Sequence, residues 1–182
     1  DVFRNHLINK RYVNEERPIV INNWEATYFD FDNEKLMKIV DAASGTGIDT
    51  FVLDDGWFGK RNDEKTSLGD WFVNTEKLSG GLKTIIDYVH SKGMKFGLWF
   101  EPEMVNEDSD LYRAHPEWAI TTPGRKPSKG RNQLILDLTR PEVRDYIVDN
   151  VSRIIDENGI SYVKWDMNRH MADAYSPTIE NQ

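Results

Sequence analysis

Lys164, Asp166 and Asn168 alternate along the motif Lys164-Trp165-Asp166-Met167-Asn168-Arg169, at the end of an apolar run that reads as a β-strand. Successive strand residues face opposite sides, so these three share one face. A cation beside a carboxylate favours its charged form, which a nucleophile or an electrostatic stabiliser of a cationic transition state requires. Asp166 is therefore the first candidate for covalent chemistry. Standing alone, a Lys-x-Asp pair is more often a salt-bridged strand end. The company this motif keeps shifts that balance.

Asp54 and Asp55 follow the apolar run Phe51-Val52-Leu53 and precede Gly56-Trp57-Phe58. Adjacent carboxylates suit Mg²⁺ or Ca²⁺, acid/base work, or the hydroxyls of a sugar. A metal needs further oxygen ligands around it, and the aromatic neighbours favour hydroxyl binding instead. An Asp-Gly turn uses the same residues for purely local reasons. Glu101 and Glu103 bracket Pro102 and read either as the acid and base of a glycosidase or, more commonly, as ion-paired loop residues. Trp24, Trp57, Trp71, Trp99 and Trp165 mostly lie near strand ends, where an indole can pack on the apolar face of a pyranose. Most Trp are simply core, and only Trp99 and Trp24 are expected to face a ligand. Arg131, in Gly130-Arg131-Asn132-Gln133, carries a fork suited to a ligand oxygen, or is a solvated loop arginine. The four His show no zinc spacing and no glycine-rich phosphate loop appears, so neither a metal nor an organic cofactor is expected.

Four short β-rich runs, at 19–22, 50–54, 95–100 and 162–166, would carry these motifs at their ends. Between them, Leu36, Ile39, Val40 and Ala43 repeat at helical spacing. So do Leu82, Ile85, Ile86 and Val89, in a helix closing on Gly93. A third helix, over 142–158, turns Val143, Ile147, Val151, Ile154 and Ile155 inward, with Thr139 and Glu142 as a capping box and Gly159 as its stop. Ahead of it lies a long connection with His115-Pro116-Glu117-Trp118, a Pro/Gly/Lys stretch at 122–130, and the run Leu134-Ile135-Leu136-Asp137. That run reads as an extra short strand in a functional loop, or as a barrel strand.

Alternating strands and helices imply an α/β fold with a parallel sheet, either open and doubly wound or part of a (β/α)8 TIM barrel. The recurrence of chemical residues at strand ends favours the barrel, whose carboxyl ends converge on one active face. Four β/α units are only half of one, since a full barrel needs about 250 residues. The expected organisation is a lead-in at 1–17 and a partial catalytic domain at 18–182, the N-terminal half of the barrel.

The 182 residues suffice for one core. With 23 Lys+Arg against 31 Asp+Glu, a net charge of -8 and no basic run, nucleic acid and anionic membranes are not expected partners. No window reaches the roughly 18 apolar residues of a membrane span, and no secretory signal opens the chain. Together with the absence of cysteine, this gives a cytoplasmic expectation. The start at Asp1 without a Met, and a first strand only at Pro18-Ile19-Val20-Ile21, suggest a piece of something larger.

Asn23-Trp24-Glu25-Ala26, Asp54-Asp55-Gly56-Trp57-Phe58, Gly97-Leu98-Trp99-Phe100-Glu101-Pro102-Glu103-Met104 and Lys164-Trp165-Asp166-Met167-Asn168-Arg169 together closely resemble the α-galactosidases of glycoside hydrolase family 36. Order and spacing match over about 17–176. The resemblance implies a retaining enzyme with a (β/α)8 barrel between an N-terminal β-sandwich and a C-terminal β-domain. It implies Asp166 as the nucleophile, and Asp54, Asp55, Trp99, Arg131 and Lys164 as galactose-binding positions. Trp24 would lie near the leaving group, and Asn168 completes the candidate binding set. The substrates implied are α-galactoside oligosaccharides such as melibiose or raffinose, and the parent enzyme is expected to be a homo-oligomer. A raffinose- or stachyose-forming transglycosylase would use the same residues. The family's acid/base aspartate lies further downstream, beyond Gln182, so this segment alone is expected not to turn over galactosides, a non-catalytic half-barrel being the other alternative.

Overall fold

The computed structural model describes residues 2–8, 10–12, 14–172 and 175–179. Asp1, Asn9 and Val13 of the expected lead-in, and 173–174 and 180–182 of the expected catalytic segment, lie outside the described residues. The lead-in contains a π-helical turn, Phe3–Leu7, and a 3-10 turn, Lys10–Tyr12. From there the chain runs through β1 (Val20–Asn22), α1 (Trp24–Thr27), α2 (Asn33–Ala43), β2 (Thr50–Leu53), α3 (Leu82–Ser91) and β3 (Lys95–Phe100). It continues through β4 (Met104–Asn106), α4 (Asp110–Ala114), β5 (Gln133–Ile135), α5 (Pro141–Asn158) and β6 (Tyr162–Trp165).

β1, β2, β3 and β6 form one parallel sheet in that order. Every step moves to the next position in the same direction, so right-handed crossovers put all three long helices on one face. The sheet is therefore singly wound, and α3 packs between α2 and α5. Every residue of β2 is buried, as is all of β3 except Lys95, because these central strands are covered on both faces. The edge strands β1 and β6 are only partly covered.

Helix faces follow the apolar spacing. Leu36, Val40 and Ala43 of α2, Leu82, Ile85, Ile86 and Val89 of α3, and Val143, Ile147, Val151 and Ile154 of α5 are buried. Asp32 caps α2 by accepting the Lys35 N–H at 2.8 Å, and α5 stops at Gly159, whose φ of 60° closes the helix on the Ile155 carbonyl. The Thr139–Glu142 capping box does not form. Pro141 occupies the first helical turn and Arg140 is the N-cap, so Thr139 sits one residue too early, and its hydroxyl donates to Asp137 Oδ1 at 2.6 Å.

Register places Asn22, Val52, Gly97 and Tyr162 in one row across the sheet, and Leu53, Leu98 and Val163 in the next. By the two-residue period, the row beyond it on the first face carries Asp54, Trp99 and Lys164, with Asp166 two residues further along its strand. Gly97 makes the first of these rows, beneath Asp54, Trp99 and Lys164, compact. A Cβ there would meet Val52 Cγ2 at 2.9 Å and Tyr162 Cβ at 3.0 Å.

Within the long connection after β3, β5 pairs antiparallel with β4, Met104 opposite Ile135 and Asn106 opposite Gln133. This two-stranded ribbon is separate from the main sheet, so the 134–137 run is not one of its parallel strands.

Candidate active site

At the carboxyl end of β6, the Asp166 N–H continues the ladder by donating to the Phe100 carbonyl at 2.8 Å. The Asp166 carboxylate then receives three donors. The Trp99 indole N–H (3.0 Å) and the Asn168 amide (2.8 Å) reach Oδ2, and the Met167 N–H (3.0 Å) reaches Oδ1. Partial burial pushes this carboxyl up, but the Trp99 and Asn168 bonds, the Met167 N–H and the Lys164 charge hold it below its ordinary value. It is therefore an anion at neutral pH, held by neutral donors.

Lys164 does not pair with Asp166, as its spacing suggested. Its ammonium lies 2.7 Å from Asp54 Oδ2, across the sheet. β3, which carries Trp99, lies between β2 and β6, so this pair bridges two strand ends that are not neighbours in the sheet. Asp54 is fixed from both sides. Its N–H donates to Asn23 Oδ1 at 2.8 Å, and its Oδ1 accepts the Asp55 N–H at 2.9 Å.

Asp55 lies next door but is engaged by a residue the sequence motifs did not single out. The Arg61 guanidinium grips it bidentately, Nε to Oδ1 at 2.7 Å and Nη2 to Oδ2 at 2.8 Å. Arg61 is 1% exposed, and its Nη1 also donates to the Thr66 carbonyl and to Asn106 Oδ1. Burial pushes the Asp55 carboxyl up, opposed by the hydrogen bonds and charge of Arg61. Asn106 is the hub behind this pair: it accepts from Leu68 N–H and donates to the Glu64 and Asn132 carbonyls. Nothing in the local pattern marks Arg61 or Asn106: the loop must fold back to bring Arg61 onto Asp55, six positions earlier, and Asn106 reaches Arg61 from 45 positions away.

Trp99 is 1% exposed, so most of its indole is wall rather than platform. Its ring lies parallel to Phe58 and beside Trp71, and Trp57 donates its indole N–H to the Trp99 carbonyl at 2.9 Å. Trp24, on α1, is partly buried and meets Tyr28 and Phe29 edge-on at 5.2 and 5.1 Å. Arg131 sits at φ 50° beside Asn132 at φ 61°, the two central residues of a tight turn closed by Gly130 and Gln133. Its guanidinium lies 3.7 Å from Glu64, so the structure does not join Arg131 to the Asp54–Asp166 group.

Among the described residues, neither Glu101 nor Glu103 has an ion-pair partner. Glu101 is fully buried, with Oε1 accepting the Asn168 N–H and Oε2 the Gln133 amide at 2.9 Å. Glu103 accepts the Trp165 indole N–H at 2.8 Å. Both Glu101 oxygens are taken by internal donors, which suits a structural carboxylate better than a catalytic acid. Among the described residues, no three His, Asp or Glu side chains are gathered to hold a metal ion.

These features define an α/β protein with a carboxylate-centred site at the carboxyl ends of parallel strands. The sequence matches the Melibiase family over residues 1–182, and the chain belongs to that family. It is 57% identical over 176 residues to the bifunctional alpha-galactosidase/sucrose kinase AgaSK of Mediterraneibacter gnavus, covering 97% of this chain and 19% of that protein. The crystal structure of the alpha-galactosidase from Lactobacillus brevis matches with a TM-score of 0.94 and 53% identity, over 98% of this chain and 24% of that one. A variant of the GH36 alpha-galactosidase AgaA from Geobacillus stearothermophilus, solved with raffinose, matches with a TM-score of 0.94 and 50% identity, over 98% of this chain and 25% of that one. The chain thus spans a fifth to a quarter of the length of these relatives. The family resemblance carried by its motifs is borne out.

Proposed function

We propose that this chain is the N-terminal half of the (β/α)8 barrel of a retaining α-galactosidase, which hydrolyses terminal α-linked galactose from oligosaccharides such as melibiose or raffinose. The observation that carries this is Asp166: an anionic carboxylate at a strand end, oriented by three neutral donors and not consumed by an ion pair. The singly wound order of the four parallel strands supports the barrel, since each strand advances in one direction around it. The raffinose complex of the AgaA variant supports the substrate class.

In this mechanism Asp166 attacks the anomeric carbon as the glycosidic bond breaks, through an oxocarbenium-like transition state that its charge stabilises. A second carboxyl, some 5 to 5.5 Å away in retaining enzymes, protonates the leaving oxygen and later takes a proton from the water that releases galactose. In the mechanism proposed here, that residue belongs to the part of the barrel outside 1–182. Lys164 and Asp54, locked as a pair, present a donor and acceptors to sugar hydroxyls. Asp55 keeps some acceptor capacity beyond the bonds it takes from Arg61 and the Gly56 N–H. A site built to bond an axial hydroxyl in this way discriminates strongly against sugars lacking it.

The test is brief exposure of the full-length protein to an activated fluoro-galactosyl inhibitor, followed by peptide mapping. A galactosyl adduct on Asp166 is expected, together with loss of turnover and of the adduct in Asp166→Asn. An adduct on another residue would remove Asp166 from its role.

A further inference from the structure

Glu101 is a buried carboxylate that the mechanism leaves unused. It follows directly on Phe100, and these two residues at the end of β3 hold the segment after β6 at two points. The Phe100 carbonyl accepts the Asp166 N–H, and Glu101 Oε1 accepts the Asn168 N–H. Asn168 in turn donates its side-chain amide to Asp166 Oδ2. A third tether joins the same segment to β5, where Arg169 Nη1 donates to the Gln133 carbonyl at 2.7 Å.

The Gln133 side chain shows how strongly Glu101 constrains its surroundings. Its Nε2 serves Glu101, and its Oε1 is left buried without a partner. An unpaired buried acceptor is costly, so the amide is held in this orientation by the carboxylate's need for a donor. Glu101 thus has one oxygen on the turn that presents Asp166 and the other on Gln133 of β5.

We propose that Glu101 is a positioning residue for Asp166: through Asn168 it fixes the turn that aims the nucleophile. This rests on the assignment of Asp166 as nucleophile made above. Burial raises the Glu101 carboxyl, with the Asn168 and Gln133 bonds opposing and the Asp166 charge adding to it. The role does not depend on its charge. In Glu101→Gln, one oxygen still accepts from Asn168, and rotation of the Gln133 amide turns its idle Oε1 toward the new N–H donor. In Glu101→Asp, the carboxylate is retracted by one methylene and cannot span both partners.

The experiment compares the rate of covalent labelling by the activated fluoro-galactosyl inhibitor with competitive inhibition by galactose, in the full-length protein and three variants. Glu101→Ala and Glu101→Asp are expected to slow labelling of Asp166 by on the order of 100-fold, the effect of about 1 Å of misplacement. Galactose inhibition should change little, and Glu101→Gln should recover most of the labelling rate relative to Glu101→Asp. If Glu101→Ala fails to fold, Glu101→Asp carries the comparison, with melting midpoints as the control. Labelling of Glu101→Asp at the wild-type rate overturns the proposal, as does a parallel loss of galactose binding and labelling. So does a Glu101→Gln variant as slow as Glu101→Asp. Wild-type labelling at a different residue is a separate result, which overturns the nucleophile assignment and the positioning role with it.

Discussion

Replacing Arg61 by Leu removes a guanidinium that is 1% exposed and makes four hydrogen bonds: two to Asp55, one to the Thr66 carbonyl and one to Asn106. Leucine loses the stacking of the guanidinium over Phe29 and Phe58, at 5.6 and 5.7 Å, and leaves the buried Asp55 carboxylate without its bidentate partner, held by the Gly56 N–H and the more distant Lys77 charge. Breaking one side of a buried pair costs about 3–5 kcal/mol. Asn106 Oδ1 retains the Leu68 N–H, so the additional loss there is small. The pH dependence identifies the cause. Asp55 already has its carboxyl raised by burial, and Arg61 supplies the opposing pull, so its loss raises the folded-state value further. A carboxyl with a raised folded value stabilises the fold only while protonated, and that contribution is lost as pH rises through the folded value. The deficit of Arg61→Leu should therefore be greatest at neutral pH and shrink as pH falls through the raised Asp55 value. Urea unfolding of wild type and variant across that pH range measures it. Asp55→Asn added to Arg61→Leu should recover much of the loss at neutral pH. A loss below about 1 kcal/mol, or a gap that is the same at every pH, would refute the buried-charge account.

Trp99→Phe removes the indole N–H from Asp166 Oδ2, which should raise the Asp166 carboxyl and move the acid limb of the kcat/KM profile of the full-length protein to higher pH; an unmoved limb counts against Trp99 as a donor to the nucleophile. Gly97→Ala places a Cβ 2.9 Å from Val52 and 3.0 Å from Tyr162 and should cost about 1–3 kcal/mol by thermal unfolding. Gly159→Ala, with nothing within 4 Å, should lose only the strain of a φ of 60°, about 1–2 kcal/mol, and leave the sheet rows untouched.

Much of the framework was readable from periodicity. The stripe Leu82, Ile85, Ile86, Val89 spans one face of a helix, and the alternation of strands with such helices implied the parallel pairing that puts Leu53, Leu98 and Val163 in one row. The capping box failed for a local reason that was itself in the sequence, the proline at position 141. Glu101 and Glu103 read from sequence as either an acid/base pair or ion-paired loop residues, and the neutral donors they meet were not visible there, because exposure and long-range partners are not local properties.

Side-chain partners were the part that sequence did not contain. Lys164 and Asp166 are two residues apart and on one face, and from that alone the ion pair belongs between them. Folding instead brings in Asp54 from 110 positions away, and it takes the lysine. Asp166 is left to the indole of Trp99, 67 positions distant, and to its neighbour Asn168. Arg61 reaches Asp55 only because the loop after β2 folds back over its own strand end. Alternation along a strand fixes which face a residue takes, since backbone geometry repeats every two residues. Which charges meet on that face depends on which strand ends the sheet sets side by side, and tertiary structure alone decided that.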